Sequence, residues 1–136
     1  MMQSKRIELA TGLEISRVVT GLWQIADMER GGESLDPKEA AKSMQPYFEA
    51  GLTAFDMADH YGSSEIISGV FRKNLDTPNA VHLFTKWVPT PGKISKESVL
   101  DAVKLALDRM QLQKIDLMQL HAWHYPDPSW LDGLYY

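Results

Sequence analysis

The sequence predicts an α/β chain, a partial (β/α)8 barrel of the TIM type with about four βα units after an N-terminal β-hairpin. Three observations predict it. Apolar runs of strand length alternate with helical patterns along the whole chain, which is the order of βα units. The runs carry few polar positions, as parallel strands covered on both faces do. The strand-to-strand period is about 30 to 35 residues, as for a strand plus its crossover helix. The competing architecture is a doubly wound sheet, which would place a Gly-rich nucleotide turn after its first strand. Gly21-Leu22-Trp23-Gln24 stands there instead, and no G-x-G-x-x-G occurs. A complete barrel needs roughly 250 residues. The 136 residues here correspond to half of one.

The elements follow in order. Arg6 to Leu9 alternates, Thr11-Gly12 turns, and Leu13 to Ile15 alternates again, so residues 1–16 read as a hairpin. Arg17 to Leu22 reads as a short buried strand, and Met28 to Leu35 as a polar loop. Asp36 caps a helix with Pro37 at its first position and Glu39 placed for a capping box. Gly51 ends that helix, and Pro46 should kink it. Leu52 to Met57 is the next strand. Ser63 is a candidate cap for a helix whose inner face is Ile66, Ile67, Val70 and Phe71. After the turn Asp76–Asn79, Val81 to Lys86 is a strand and Pro89 to Gly92 a loop. Ser95 to Met110 is a helix with Val99, Val103, Ala106 and Met110 on one side, and Ile115 to Leu120 is the last strand. Asp127-Pro128 repeats the helix opening, and the chain stops eight residues later. The expectation is one domain, 1–136, with four βα units over 17–136 and the last helix cut.

Composition excludes several classes. The chain is 44% hydrophobic and 24% charged, with net charge −4 and both signs mixed. That is a globular balance without a basic stripe, so nucleic acid is not an expected partner. Cysteine is absent, which removes disulfides, thiol nucleophiles and thiolate metal sites. No run reaches the roughly 18 apolar residues of a membrane helix, and Met1 to Ala10 lacks a signal-type apolar core. A cytoplasmic protein without membrane contact is expected.

Chemistry concentrates at strand ends. Three apolar strands run into an ionisable residue: Phe55 into Asp56, Thr85 into Lys86, Leu120 into His121. Side chains alternate along a strand, so Ala54 shares a face with Asp56, Phe84 with Lys86, and Gln119 with His121. Parallel neighbours would bring the three ends to one mouth, where barrel chemistry sits. Tyr61, in the loop after Asp56, can reach it. Each residue alone has an ordinary structural reading: a turn cap, a rim lysine, a loop aromatic, a core histidine. Their conjunction on successive strand ends points to a catalytic site. His121 and His124 are three apart, but no carboxylate or thiolate set accompanies them, so no metal site is expected. His60 reads as a loop residue.

Gly21-Leu22-Trp23, the run Phe55-Asp56-Met57-Ala58-Asp59-His60-Tyr61-Gly62, Thr85-Lys86 and Leu120-His121 resemble the motifs of the aldo-keto reductase family in order and spacing. Leu9 to Ser16 looks like the hairpin that plugs the base of that family's barrel. Met57 departs from the pattern, which usually has a small residue there. The resemblance implies NAD(P)H-dependent reduction of aldehydes or ketones to alcohols, with catalytic residues Asp56, Tyr61, Lys86 and His121. Tyr61 would be the general acid. An ordinary tyrosine holds its proton to about pH 10, and a neighbouring ammonium such as Lys86 favours its release. Asp56 would hold Lys86, and His121 would orient the carbonyl oxygen. Leu22 and Trp23, with Asp56, match cofactor-side positions; Trp87 and Trp123 match positions near the substrate. The family's grip on NADPH or NADH lies mainly in the second half of its barrel. The half chain is therefore expected to bind cofactor weakly or not at all. The alternative is a non-catalytic, truncated relative that acts as a binding or assembly partner. Its open strand edges invite self-association.

Overall fold

The computed structural model describes residues 5–25, 27, 33 and 35–136. Most of the loop expected over Met28 to Leu35 lies outside them. The chain opens with an antiparallel hairpin, β1 (Arg6–Ala10) and β2 (Leu13–Ser16). Its turn places Gly12 at φ 77°, a conformation that L side chains rarely adopt.

Then come β3 (Val19–Gly21), α1 (Pro37–Lys42), α2 (Gln45–Glu49), β4 (Ala54–Asp56), α3 (Ser64–Lys73), β5 (His82–Trp87), α4 (Lys96–Met110) and β6 (Leu117–Leu120). A 3-10 helix, Pro128–Tyr135, closes the chain. The strands β3, β4, β5 and β6 form one parallel sheet in chain order. Sequential parallel neighbours joined by helices are the wall of a βα barrel, not the reversing order of a doubly wound sheet.

Two apolar layers hold the sheet. Phe55, Leu83 and Met57 face the helices and pack with Met44, Ile67, Phe71, Ala106 and Met110. On the other face, Ala54 and Phe84 pack with Ile15 of the hairpin. Ser16 fastens the hairpin there. Its Oγ accepts from the amides of Thr53 and Ala54, both at 3.1 Å, and donates to Val18 O at 2.8 Å. One hydroxyl thus satisfies two amides at the start of β4 and one carbonyl just before β3.

Several expectations need correction. The first barrel strand is shorter than Arg17–Leu22 and is not buried, with Val18 56% and Val19 39% exposed. Among the described residues it pairs with β4 alone, and no described strand covers its other side. Pro46 does more than kink its helix: the helix breaks into α1 and α2 across Ser43 and Met44. Asp36 caps as expected, accepting from the amides of Lys38 and Glu39. The reciprocal half of the capping box does not form, because the Glu39 carboxylate takes Lys42 Nζ instead. Ser63 precedes α3 without capping it; its hydroxyl donates to Asp27 Oδ1. The inner face of α3 also differs. Ile66 is exposed, while Ser64, Glu65 and Ser68 are buried beside Ile67 and Phe71. Among the described residues no helix is long and apolar enough to cross a membrane.

Candidate active site

Backbone hydrogen bonds set the strand ends side by side. Leu22 N donates to Asp56 O at 2.9 Å, Met57 N to Phe84 O at 2.9 Å, Asp59 N to Lys86 O at 2.9 Å, and His121 N to Trp87 O at 2.8 Å. The register pairs Gly21 with Asp56 and Lys86 with Gln119. The side chains on the hairpin side of the sheet therefore meet at its C-terminal end, as alternation requires.

Lys86 Nζ lies 2.5 Å from Asp56 Oδ2 and 2.8 Å from Met57 O. The other Asp56 oxygen accepts from Gln119 Nε2 at 3.2 Å. The Lys86 ammonium also stands 5.2 Å from the centre of the Tyr61 ring. Tyr61 packs edge-on against Trp23, with ring centres 4.7 Å apart. The His121 ring lies 5.1 Å from His60 and 4.6 Å from Trp123. Burial holds His121 below the ordinary 6.5 of histidine, and His60 and Lys86 push the same way against Asp59 and Asp56. A neutral imidazole offers one N–H donor and one acceptor.

Asp56, Tyr61, Lys86, His121 and Trp23 thus come together at one mouth, with Trp123 at its rim, 54% exposed. Two other predicted residues do not join them. The Leu22 side chain is 3% exposed within the core. Trp87 alternates to the opposite face of β5 from Lys86. There it lines a cavity of about 80 Å³ with Asp59, Glu65, Ala106, Arg109 and Met118.

Sequence reasoning missed a supporting network. Glu65 is 1% exposed; it accepts from Thr85 Oγ1 at 2.6 Å and pairs with Arg109 Nη1 at 3.1 Å. Arg109 also donates to Asp59 O at 3.1 Å. The available signal was Glu65 itself, a carboxylate adjoining the apolar stripe of α3, where an unpaired charge would be costly. Among the described residues no group of three or more His, Cys, Asp or Glu could hold a metal ion.

The family model described as "Aldo/keto reductase family" matches residues 17–134. The chain is similar to the aldo-keto reductase YhdN of Bacillus subtilis, 32% identical over 126 residues, 87% of this chain and 37% of that protein. It is also similar to human aflatoxin B1 aldehyde reductase member 2, 33% identical over 101 residues, 71% of this chain and 28% of that one. Among solved structures, the holo form of AKR11C1 from Bacillus halodurans superposes with a TM-score of 0.71 at 26% identity, over 96% of this chain and 44% of that one. The Bombyx mori enzyme AKR2E4, in complex with NADP, gives 0.63 at 25% identity, over 89% and 39%. The chain spans less than half the length of each of these relatives. Its fold is a partial TIM-type barrel.

Proposed function

The chain belongs to the aldo/keto reductase family, and from that premise we propose that its strand-end cluster is the proton-delivering side of a carbonyl-reduction site. The observation that carries the reading is the Lys86 ammonium, held 2.5 Å from Asp56 and 5.2 Å from the Tyr61 ring. Tyr61 gives its phenolic proton to the carbonyl oxygen as charge develops there, and the ammonium stabilises the phenolate left behind. Asp56 and Met57 O hold the ammonium in place. His121, kept neutral, donates one hydrogen bond to the same oxygen and orients it. Trp123, against His121, forms the substrate wall; Trp87, on the other face of β5, is left out of it.

A nicotinamide, NADPH or NADH, supplies hydride when bound. The residues present fit its reacting end only. Trp23 and Tyr61 form an aromatic corner beside Asp56. Leu22 contributes backbone alone, its side chain being in the core. Lys86 is committed to Asp56 and Met57 O, so it is not available to grip a phosphate. None of the described residues is assigned to the phosphates or the adenosine. The substrate is a small aldehyde or ketone, and a cytoplasmic location is part of the proposal.

NADPH binding tests this, read by quenching of tryptophan fluorescence. Micromolar binding lost in Trp23→Ala, with carbonyl reduction abolished in Tyr61→Phe, supports it. No binding at millimolar cofactor, by this chain or by this chain joined to further barrel units, would sink it. A second reading, a non-catalytic assembly partner, is favoured by the side of β3 that no described strand pairs with, where Val19 and the preceding Val18 are exposed.

A further inference from the structure

His60 stands inside the cluster, and the chemistry above gives it no task. Its ring centre lies 4.8 Å from that of Tyr61, 5.1 Å from His121 and 6.4 Å from Trp23. It is also held from behind. Asp59 Oδ1 bonds its Nδ1 at 3.0 Å. Asp59 is itself anchored at three points: Oδ2 accepts from Val88 N at 3.0 Å, its amide donates to Lys86 O at 2.9 Å, and its carbonyl accepts from Arg109 at 3.1 Å. Arg109 is in turn paired with the buried Glu65. Elements α3, α4 and β5 therefore converge, through Asp59, on the placement of one imidazole.

We propose that His60 is a positioning residue of this site, an imidazole held by Asp59 whose positive charge, when present, opposes a second charge on the adjoining His121 ring. Like charges this close disfavour one another, so a charge on the His60 ring opposes protonation of His121, 5.1 Å away. Tyr61 and Trp23 also adjoin the His60 ring, the Arg109–Glu65 pair stands behind Asp59, and Lys86 of β5 and Asp56 of β4 act on His121. Lys86 and Asp56 are paired with each other. Among the described residues His121 has no ion-pair partner, and its Nδ1 is buried without a hydrogen bond. Its charged form is therefore disfavoured, by burial first and by the neighbouring His60 and Lys86 next. On the carbonyl-reduction reading, the neutral His121 ring donates a hydrogen bond without competing with Tyr61 as the acid; that consequence rests on the reading. The coupling belongs to the resting protein and is tested without substrate.

The test is an NMR titration of the imidazole Cε1 protons in the full chain. His121 should depart from a one-site curve. In His60→Phe, which keeps an aromatic ring and removes the charge, its midpoint should rise by about half a pH unit or more. A one-site curve in the wild-type chain, with the same midpoint in His60→Phe, overturns the proposal. Should His60→Phe fail to fold, His60→Gln gives the same comparison, and the shape of the wild-type curve decides by itself. Loss of the reductase reading with this coupling intact would leave the coupling standing.

Discussion

Lys86 and Asp56 lie 30 positions apart in the chain, yet their Nζ and Oδ2 atoms are 2.5 Å apart. The side chains are 15% and 27% exposed, so water screens the pair only in part. Removing one partner leaves a half-shielded charge uncompensated. Asp56→Asn should destabilise the chain by about 1–2 kcal/mol in urea denaturation, a figure reduced for the remaining exposure. Adding Lys86→Met should recover part of that loss in a double-mutant cycle. Strict additivity would mean that the two charges do not interact.

Gly69 determines how closely α3 approaches α4. A Cβ at Gly69 would lie 2.4 Å from Met110 O and 2.6 Å from its carbonyl carbon, both backbone atoms of the last turn of α4. Backbone cannot give way as a side-chain tip can. Gly69→Ala should cost about 1–3 kcal/mol by overpacking, despite the better helix propensity of alanine. Gly21→Ala has open space and should leave the urea midpoint within error. Equal midpoints for both variants would refute this account of the helix crossing.

The mouth was legible because strand alternation is a local rule. Asp56, Lys86 and His121 each end an apolar run, and the period of two put each on the same face as its predecessor but one. The supports were not legible, because they depend on partners distant in sequence. Glu65 meets Arg109 across 44 positions and Thr85 across 20, and nothing in the α3 pattern specifies either. Ser63 illustrates a local rule overridden. It stands where a cap belongs, but Asp27, 36 positions earlier, takes its hydroxyl. The exposure of Val18 and Val19 was missed for another reason: an apolar run reports that a strand can be covered, not that a neighbour covers it.

Acid should weaken the fold through two histidines. Burial holds both His82 and His121 below the ordinary 6.5. Below pH 6.5 the unfolded chain binds protons that the folded chain does not yet bind. The stability from the neutral rings is therefore present above 6.5 and is lost as the pH falls through the folded values. His82 Nδ1 is also buried without a hydrogen bond. The urea midpoint should fall between roughly pH 7 and pH 5, and His82→Leu should fall less. An equal or steeper fall in that variant would show that the acid sensitivity arises elsewhere.

The outer side of β3 should govern self-association. Val19 of β3 is 39% exposed and Val18, just before it, 56%; among the described residues β3 has β4 as its one sheet neighbour. Such an edge is a template for another strand, and a charged residue blunts it. Sedimentation at micromolar concentration should reveal association in the wild-type chain. Val19→Lys should shift it toward monomer by about tenfold or more in dissociation constant, the equivalent of one disrupted edge contact of about 1.4 kcal/mol. Val19 is partly exposed and lies away from the Lys86–Asp56 pair, so the urea midpoint should change little. A monomeric wild-type chain would end the assembly reading. An unchanged association in Val19→Lys would move the interface away from β3, to β6 or to the exposed apolar tail around Leu134 and Tyr135.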